Sequence, residues 1–387
     1  MKYLHKILAI ALLPFLLGGC RKEEPVDLRE EVNVNPPEIS SVEGFYLLNE
    51  GNMGSNKSTL DYYDYSTGTY ERNIFGSANP TVPKELGDVG NDIAIYRSRL
   101  YAVINCSNKV EVMDALTAKR IGQVDIPNCR HLAFSGDFMY VTSYAGPVQI
   151  NPDYEQKGFV ARIDLNTLQE TGRCIVGFQP DGICIAGGKI YVANSGGYRV
   201  PNYESTVSVI DEASFTATGT IDVAVNLQFC KADRNGRIWI SSRGDYYQIP
   251  SRLFCYDPKR GEVVKALDVP VGDMCIDDDR IYIVANGWSN VTMSYTNTFA
   301  VVDINSMEKI ADSFITDGTG AELERPYGVA VNPLSKDIFV TDARNYVSPG
   351  YLYCYDKEGK RKWSVRTGDI PAHFAFRVKC ESDDAKH

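Results

Sequence analysis

The residues with chemistry to offer are two histidines, a few carboxylates and a large set of tyrosines, asparagines and arginines. Apart from His5 and His387 near the ends, the histidines are His131 and His373. With Asp92 or Asp273 they would supply at most a partial metal set, and no spacing of three or more ligands is evident. No nucleophile elbow, HExxH, P-loop or strand-bound GxGxxG occurs. The cysteines form no CxxC and no zinc spacing. DDDR at 277–280 sits in a four-residue turn and reads as a solvated hairpin. The expectation is a protein that is not an enzyme and requires no metal or cofactor. A lyase or hydrolase reading would have to rest on His131 or His373.

The rest of the chain must therefore hold a binding surface, and composition limits what it binds. The 387 residues are 44% hydrophobic and 23% charged, values of a globular protein. A net charge of −10 argues against nucleic acid as partner, because phosphate binding needs a basic surface. The N-terminus carries Lys2 and Lys6 before an apolar run, Ile7 to Leu17, that is too short to span a bilayer. It closes on Leu17-Gly18-Gly19-Cys20, which resembles a bacterial lipobox with Cys20 as the lipidated residue. Residues 1–19 read as a lipoprotein signal peptide and 20–43, charged and then Pro-containing, as a flexible tether. The folded part is expected over 44–387.

Self-similarity is the strongest signal in that part. An aspartate ends a short alternating strand at Asp64, Asp114, Asp164, Asp211, Asp257, Asp303 and Asp356, at intervals of 46 to 53 residues. Turn sequences such as DYSTG, DLNTL and DPKRG follow, suited to Asp because its carboxylate accepts hydrogen bonds from backbone just downstream. In phase with these, upstream strands carry an aromatic at Tyr46, Tyr101, Tyr140, Tyr191, Trp239, Tyr282 and Phe339. A further strand precedes the aromatic one in six repeats, and the seventh copy, HFAF at 373–376, lies at the C-terminal end. Four strands per repeat, seven repeats and one split repeat specify an all-β, seven-bladed β-propeller. Its C-terminal strand joins the N-terminal blade, so that no edge stays open.

With strands labelled a to d from the axis outwards, the small residues Ala94, Ala133, Cys184, Cys230, Cys275, Ala330 and Ala375 fall together on the a strands. Cys there, and Cys255 and Cys354 on c strands, reads as a small hydrophobe. Cys106 and Cys129 fall in loops on one face of neighbouring blades, a placement that admits a disulfide. The a strands begin with Asp92, His131, Gly182, Gln228, Asp273, Gly328 and His373; Asp92, His131, Gln228, Asp273 and His373 are the polar groups expected at the mouth of the central channel. The a–b and c–d turns are tight. The b–c connections are long in every blade but the second (105–109), and two long d–a crossings, 75–91 and 317–327, join them on that face. These loops mix Tyr144, Tyr198, Tyr246, Trp288 and Tyr346 with Asn, Ser, Gly and Arg, a composition that combines rigid contact area with adaptable hydrogen bonding.

Pairs such as YVANSGG…STVSVID and YVTSYAG…GFVARID resemble YVTN-type seven-bladed propellers over essentially the whole mature chain. FYLLNEGNMGSNKSTLDYYD (45–64) with ELGDVGNDIAIYRSRLYAVINCSNKVEVMD (85–114) resembles putative surface lipoproteins of gut Bacteroidetes, and in size and plan the BtuG-type cobalamin-binding lipoproteins. That resemblance implies a lipid-anchored protein exposed on the outer-membrane surface. It would capture vitamin B12 on the loop-rich face and pass it to a TonB-dependent transporter. The ligand-binding residues would be Asn194, Tyr198, Arg243, Tyr246, Trp288, Asp342 and Arg344, with Asn49 and Asn105 beside them. The competing expectation is a surface adhesion propeller that grips a glycan or another protein through the same loops.

Overall fold

A computed structural model describes residues 39–82, 86–289 and 294–380, with the side chains of Ile39, Ser40, Trp288, Ser289, Ser294 and Cys380 outside that description. Seven antiparallel sheets follow one another along the chain, and in blades 2 to 7 the four strands of the blade neighbour one another in chain order. The a strands are Gly90–Tyr96, Cys129–Ser135, Pro180–Ala186, Leu227–Ala232, Asp273–Asp277 and Pro326–Val331 in blades 2 to 7. Blade 1 takes its a strand, Pro371–Cys380, from the other end of the chain and pairs it with Ile39–Asn49. This is the expected seven-bladed propeller with its strand-exchanged closure. The closing register continues to Ile39 opposite Cys380, so the first strand starts inside the segment read as tether rather than at residue 44.

The repeated residues hold the repeat together as their chemistry demands. Oδ1 of Asp64, Asp114, Asp164, Asp257, Asp303 and Asp356 accepts the N–H two residues on, at 2.7–3.1 Å, and Asp211 accepts that of Ser214 at 2.9 Å. The seven b-strand aromatics are all buried. Apolar clusters lie between sheets: one joins Tyr101, Val103 and Val112 of blade 2 to Leu132, Val141 and Phe159 of blade 3. The closing seam is aromatic, with Phe45 0% exposed and its ring 4.7 Å from Phe339 and 5.7 Å from Phe374.

Two expectations are corrected. Cys106 and Cys129 form no disulfide; Cys129 is not in a loop but opens the a strand Cys129–Ser135, where its buried thiol contacts the carbonyls of Ile104 and Lys109. The blade 6 loop at 286–297 is largely a β-ribbon, in which Ala285 to Ser289 pairs with Ser294 to Thr298. Among the described residues helix is confined to Ile74–Ala78 and one 3-10 turn, Thr319–Glu322, both within the long d–a crossings.

Candidate functional site

The site lies where the a strands reach the loop face, and a repeated irregularity builds it. In blades 3, 4, 5 and 7, two a-strand residues stand opposite one on the b strand. The pairs are Arg130–His131 against Thr142, Asp181–Gly182 against Ala193, Gln228–Phe229 against Ser241, and Tyr327–Gly328 against Thr341. Blades 1 and 2 also shift register there, at Ala372 and Asn91. A bulge re-aims side chains out of the alternation of a strand, and here it places them around the axis.

The bulged backbone is satisfied by the residue facing it. Thr142 Oγ1 accepts the His131 N–H at 3.0 Å, Ser241 Oγ that of Phe229 at 2.9 Å, and Thr341 Oγ1 that of Gly328 at 2.7 Å. Thr142 also donates to the carbonyl of Asp181 at 2.8 Å, tying blade 3 to blade 4. Gly182 and Gly328 are required by close approach. A Cβ would lie 2.6 Å from the Gln228 carbonyl oxygen in the first case and 2.0 Å from that of Ala372 in the second.

The result is a recess of about 370 Å³ on the loop face, lined by Glu50, Arg130, His131, Tyr198, Gln228, Arg243, Asp273, Tyr327 and His373 among others. A second axial cavity of about 320 Å³ shares His131, Asp273 and His373 with it and adds Asp92, Cys230, Lys231 and Cys275. All five polar residues expected at the channel mouth are therefore brought together. Arg243 and Tyr198 join them.

Asp181 organises one wall. Its side chain is 0% exposed, and it meets Arg130 Nε at 3.3 Å, Arg243 Nη2 at 2.9 Å and His131 Nε2 at 3.2 Å. Burial alone would push its carboxyl up; the charges of Arg130 and Arg243, with His131, hold it well below the usual carboxylate range. His131 also faces Asp92 through Nδ1 at 3.3 Å. Burial opposes its charge, but hydrogen bonds and attraction from Asp181 and Asp92 win and raise the imidazole to about 9. Arg130 stacks 4.7 Å above the Tyr144 ring, which packs edge-on to Tyr198. On the opposite wall Glu50 accepts from His373 Nε2 at 3.0 Å and from Tyr327 Oη at 2.9 Å. Burial and the Glu50 charge push the Tyr327 phenol well up. Asp273 Oδ2 accepts the Val329 N–H at 2.9 Å.

The other expected ligand residues lie elsewhere. Asn49, Asn105, Asn194 and Asp342 are buried at loop bases, with their side chains engaged internally. Asn194 bonds Thr206, Ser208 and the Gly177 N–H; Asn105 bonds Asn128 and the Cys129 carbonyl; Asn49 bonds Thr59; Asp342 accepts from Glu324, Arg325 and Arg344 backbone. These four brace the crown instead of presenting its surface. Tyr246 is 63% exposed, outside the recess. Arg344 pairs with Glu324 at 3.6 Å, and the backbone of Trp288 pairs with Tyr295 in the ribbon. Sequence reasoning missed Glu50, Arg130, Asp181 and Tyr327. The available signal was a Thr or Ser amid the apolar b strands of blades 3, 5 and 7. Among the described residues no cluster of three or more His, Cys, Asp or Glu has metal-holding geometry.

Comparison with known proteins bears on the fold. Residues 43–376 match the model of the family described as "Domain of unknown function (DUF5074)". No protein of curated function matches the chain. A quinonprotein alcohol dehydrogenase-like protein from Bacteroides thetaiotaomicron is similar in structure, with a TM-score of 0.60 and 15% identity over 87% of this chain and 78% of that one. A hypothetical selenium-binding protein from Sulfolobus tokodaii gives 0.58 and 10% over 89% and 94%. The hydrazine synthase of Kuenenia stuttgartiensis gives 0.56 and 19% over 70% and 77%. At these identities the likeness is one of fold.

Proposed function

Because the chain belongs to the DUF5074 family, whose description assigns no activity, we propose its function from the loop face itself: a capture propeller that binds a corrinoid there. In this reading the protein is a lipoprotein held through Cys20 at the outer-membrane surface. It hands its ligand to a TonB-dependent transporter, and neither catalyses a reaction nor needs a cofactor. The observation that carries the reading is the axial recess, about 370 Å³ and rimmed by Tyr198 and Tyr327, with guanidinium donors and carboxylate acceptors on its walls. A corrinoid presents a broad partly apolar ring and amide arms, which need aromatic area and paired donors and acceptors. Strand Ile39–Asn49 runs into the elaborated b–c loop at its C-terminal end, so this strand starts on the plain face and ends at the crown. Calorimetry or surface plasmon resonance with cyanocobalamin tests it: saturable binding, weakened by Arg243→Ala, is expected, and no binding at micromolar ligand rejects it.

A glycan- or protein-gripping module is the second reading. It is favoured by large apolar side chains exposed on the crown: Tyr247 at 80%, Ile150 at 68% and Met53 at 66%. Such patches mark interaction surfaces. Binding on a glycan array together with indifference to corrinoid selects this reading.

A further inference from the structure

The axial recess is partitioned by charge. On the wall built by blades 3 to 5, Arg130, Arg243 and His131 surround the single carboxylate of Asp181, with Asp92 behind His131. A guanidinium carries five N–H donors. The side-chain hydrogen bonds among the described residues use one on Arg130 and one on Arg243. Both side chains line the recess, at 15% and 23% exposure, which leaves donors for an incoming anion. The opposite wall, from blades 6, 7 and 1, carries carboxylates. Asp273 commits only Oδ2, to a backbone N–H, and Glu50 accepts one bond on each oxygen although a carboxylate can accept about four.

Opposed walls of this kind disfavour a polyanion or a polycation, because either meets its own sign across the recess. They favour a group carrying both charges. The volume, about 370 Å³, is near the low end of small-ligand pockets, so the recess takes a small molecule or one limb of a larger one. We propose that the channel mouth is a binding subsite for a zwitterionic, amino-acid-like group, its carboxylate on Arg130 and Arg243 and its ammonium between Asp273 and Glu50. Buried Asp181 positions the two guanidiniums and does not touch the ligand. The subsite stands whatever the crown as a whole captures, corrinoid or not.

The test uses small probes and the mature chain without corrinoid, followed by NMR or calorimetric titration: 4-aminobutyrate against butyrate, butylamine and butyramide. Two charge-assisted contacts in place of one should make 4-aminobutyrate bind at least about tenfold tighter than either half. Arg243→Gln should erase that advantage while leaving butylamine binding unchanged. Asp273→Asn, which alters a carboxylate with a single backbone contact, should erase it while leaving butyrate unchanged. Both variants are first checked for unaltered thermal unfolding, and Arg243→Lys, which keeps the charge but loses the fork, should recover only part of the affinity. Absence of binding by every probe, equal binding of butyramide, or indifference to both substitutions would overturn the proposal.

Discussion

Asp181 shows how much one buried carboxylate can govern. Three cationic groups depend on it, and its side chain has no exposure to water that could replace them. Breaking a buried ion pair leaves charge uncompensated, so Asp181→Asn should cost about 3–5 kcal/mol in a denaturant titration. A loss within experimental error of zero would mean the guanidiniums find other partners. His131 adds a dependence on pH. Its imidazole is raised from the ordinary 6.5 to about 9 by Asp181 and Asp92, with Arg130 and His373 also nearby. A group raised on folding contributes stability that is complete below the unfolded value and disappears as pH climbs through the folded one. Stability should therefore fall between pH 6.5 and about 9, by up to about 3 kcal/mol for a shift of this size. His131→Gln should flatten that slope, and a wild-type profile already flat across the window would refute the assignment.

At the scale of strands, the regular part of the propeller was legible and the irregular part was not. The aspartate turns and b-strand aromatics recur in phase because each blade needs the same hydrogen bonds and the same burial. Bulges break that period: two residues occupy the space of one, so Arg130, Asp181 and Tyr327 sit beside the expected mouth positions. Polar residues at loop bases misled in the opposite sense. Asn49, Asn105, Asn194 and Asp342 look like surface groups in sequence, yet each is buried where a b strand ends and bonds inward, Asn105, Asn194 and Asp342 to backbone groups and Asn49 to Thr59. The hydroxyls facing the bulges belong to this scale too. Thr341→Val keeps shape but leaves the Gly328 N–H, buried against Ala372, without its acceptor. The expected cost is about 1–3 kcal/mol, with a matching loss of ligand binding if the bulge relaxes. Unchanged unfolding of this variant would show that the hydroxyl does not hold the bulge.

For the molecule as a whole, stability turns on the join between the two ends of the described chain. Pro371–Cys380 completes blade 1, and the seam beside it packs Phe45, Phe339, Trp363, Phe374 and Phe376. Phe45→Ala should cost about 3–5 kcal/mol, the usual loss for a buried ring. A deletion of 371–387 should do worse, exposing strand Ile39–Asn49 as an unpaired apolar edge. Analytical ultracentrifugation should find that product aggregated, and a monodisperse, cooperatively melting truncate would contradict this account of closure.

The same join fixes when folding can finish. The partner that strand Ile39–Asn49 awaits, Pro371–Cys380, is made after every other described strand, so a product terminated before it never acquires its latch and stays exposed to proteases. Conversely, since Ile39 and Cys380 already stand opposite each other, joining these two positions and cutting a c–d hairpin on the plain side should give a circular permutant that folds with its crown intact.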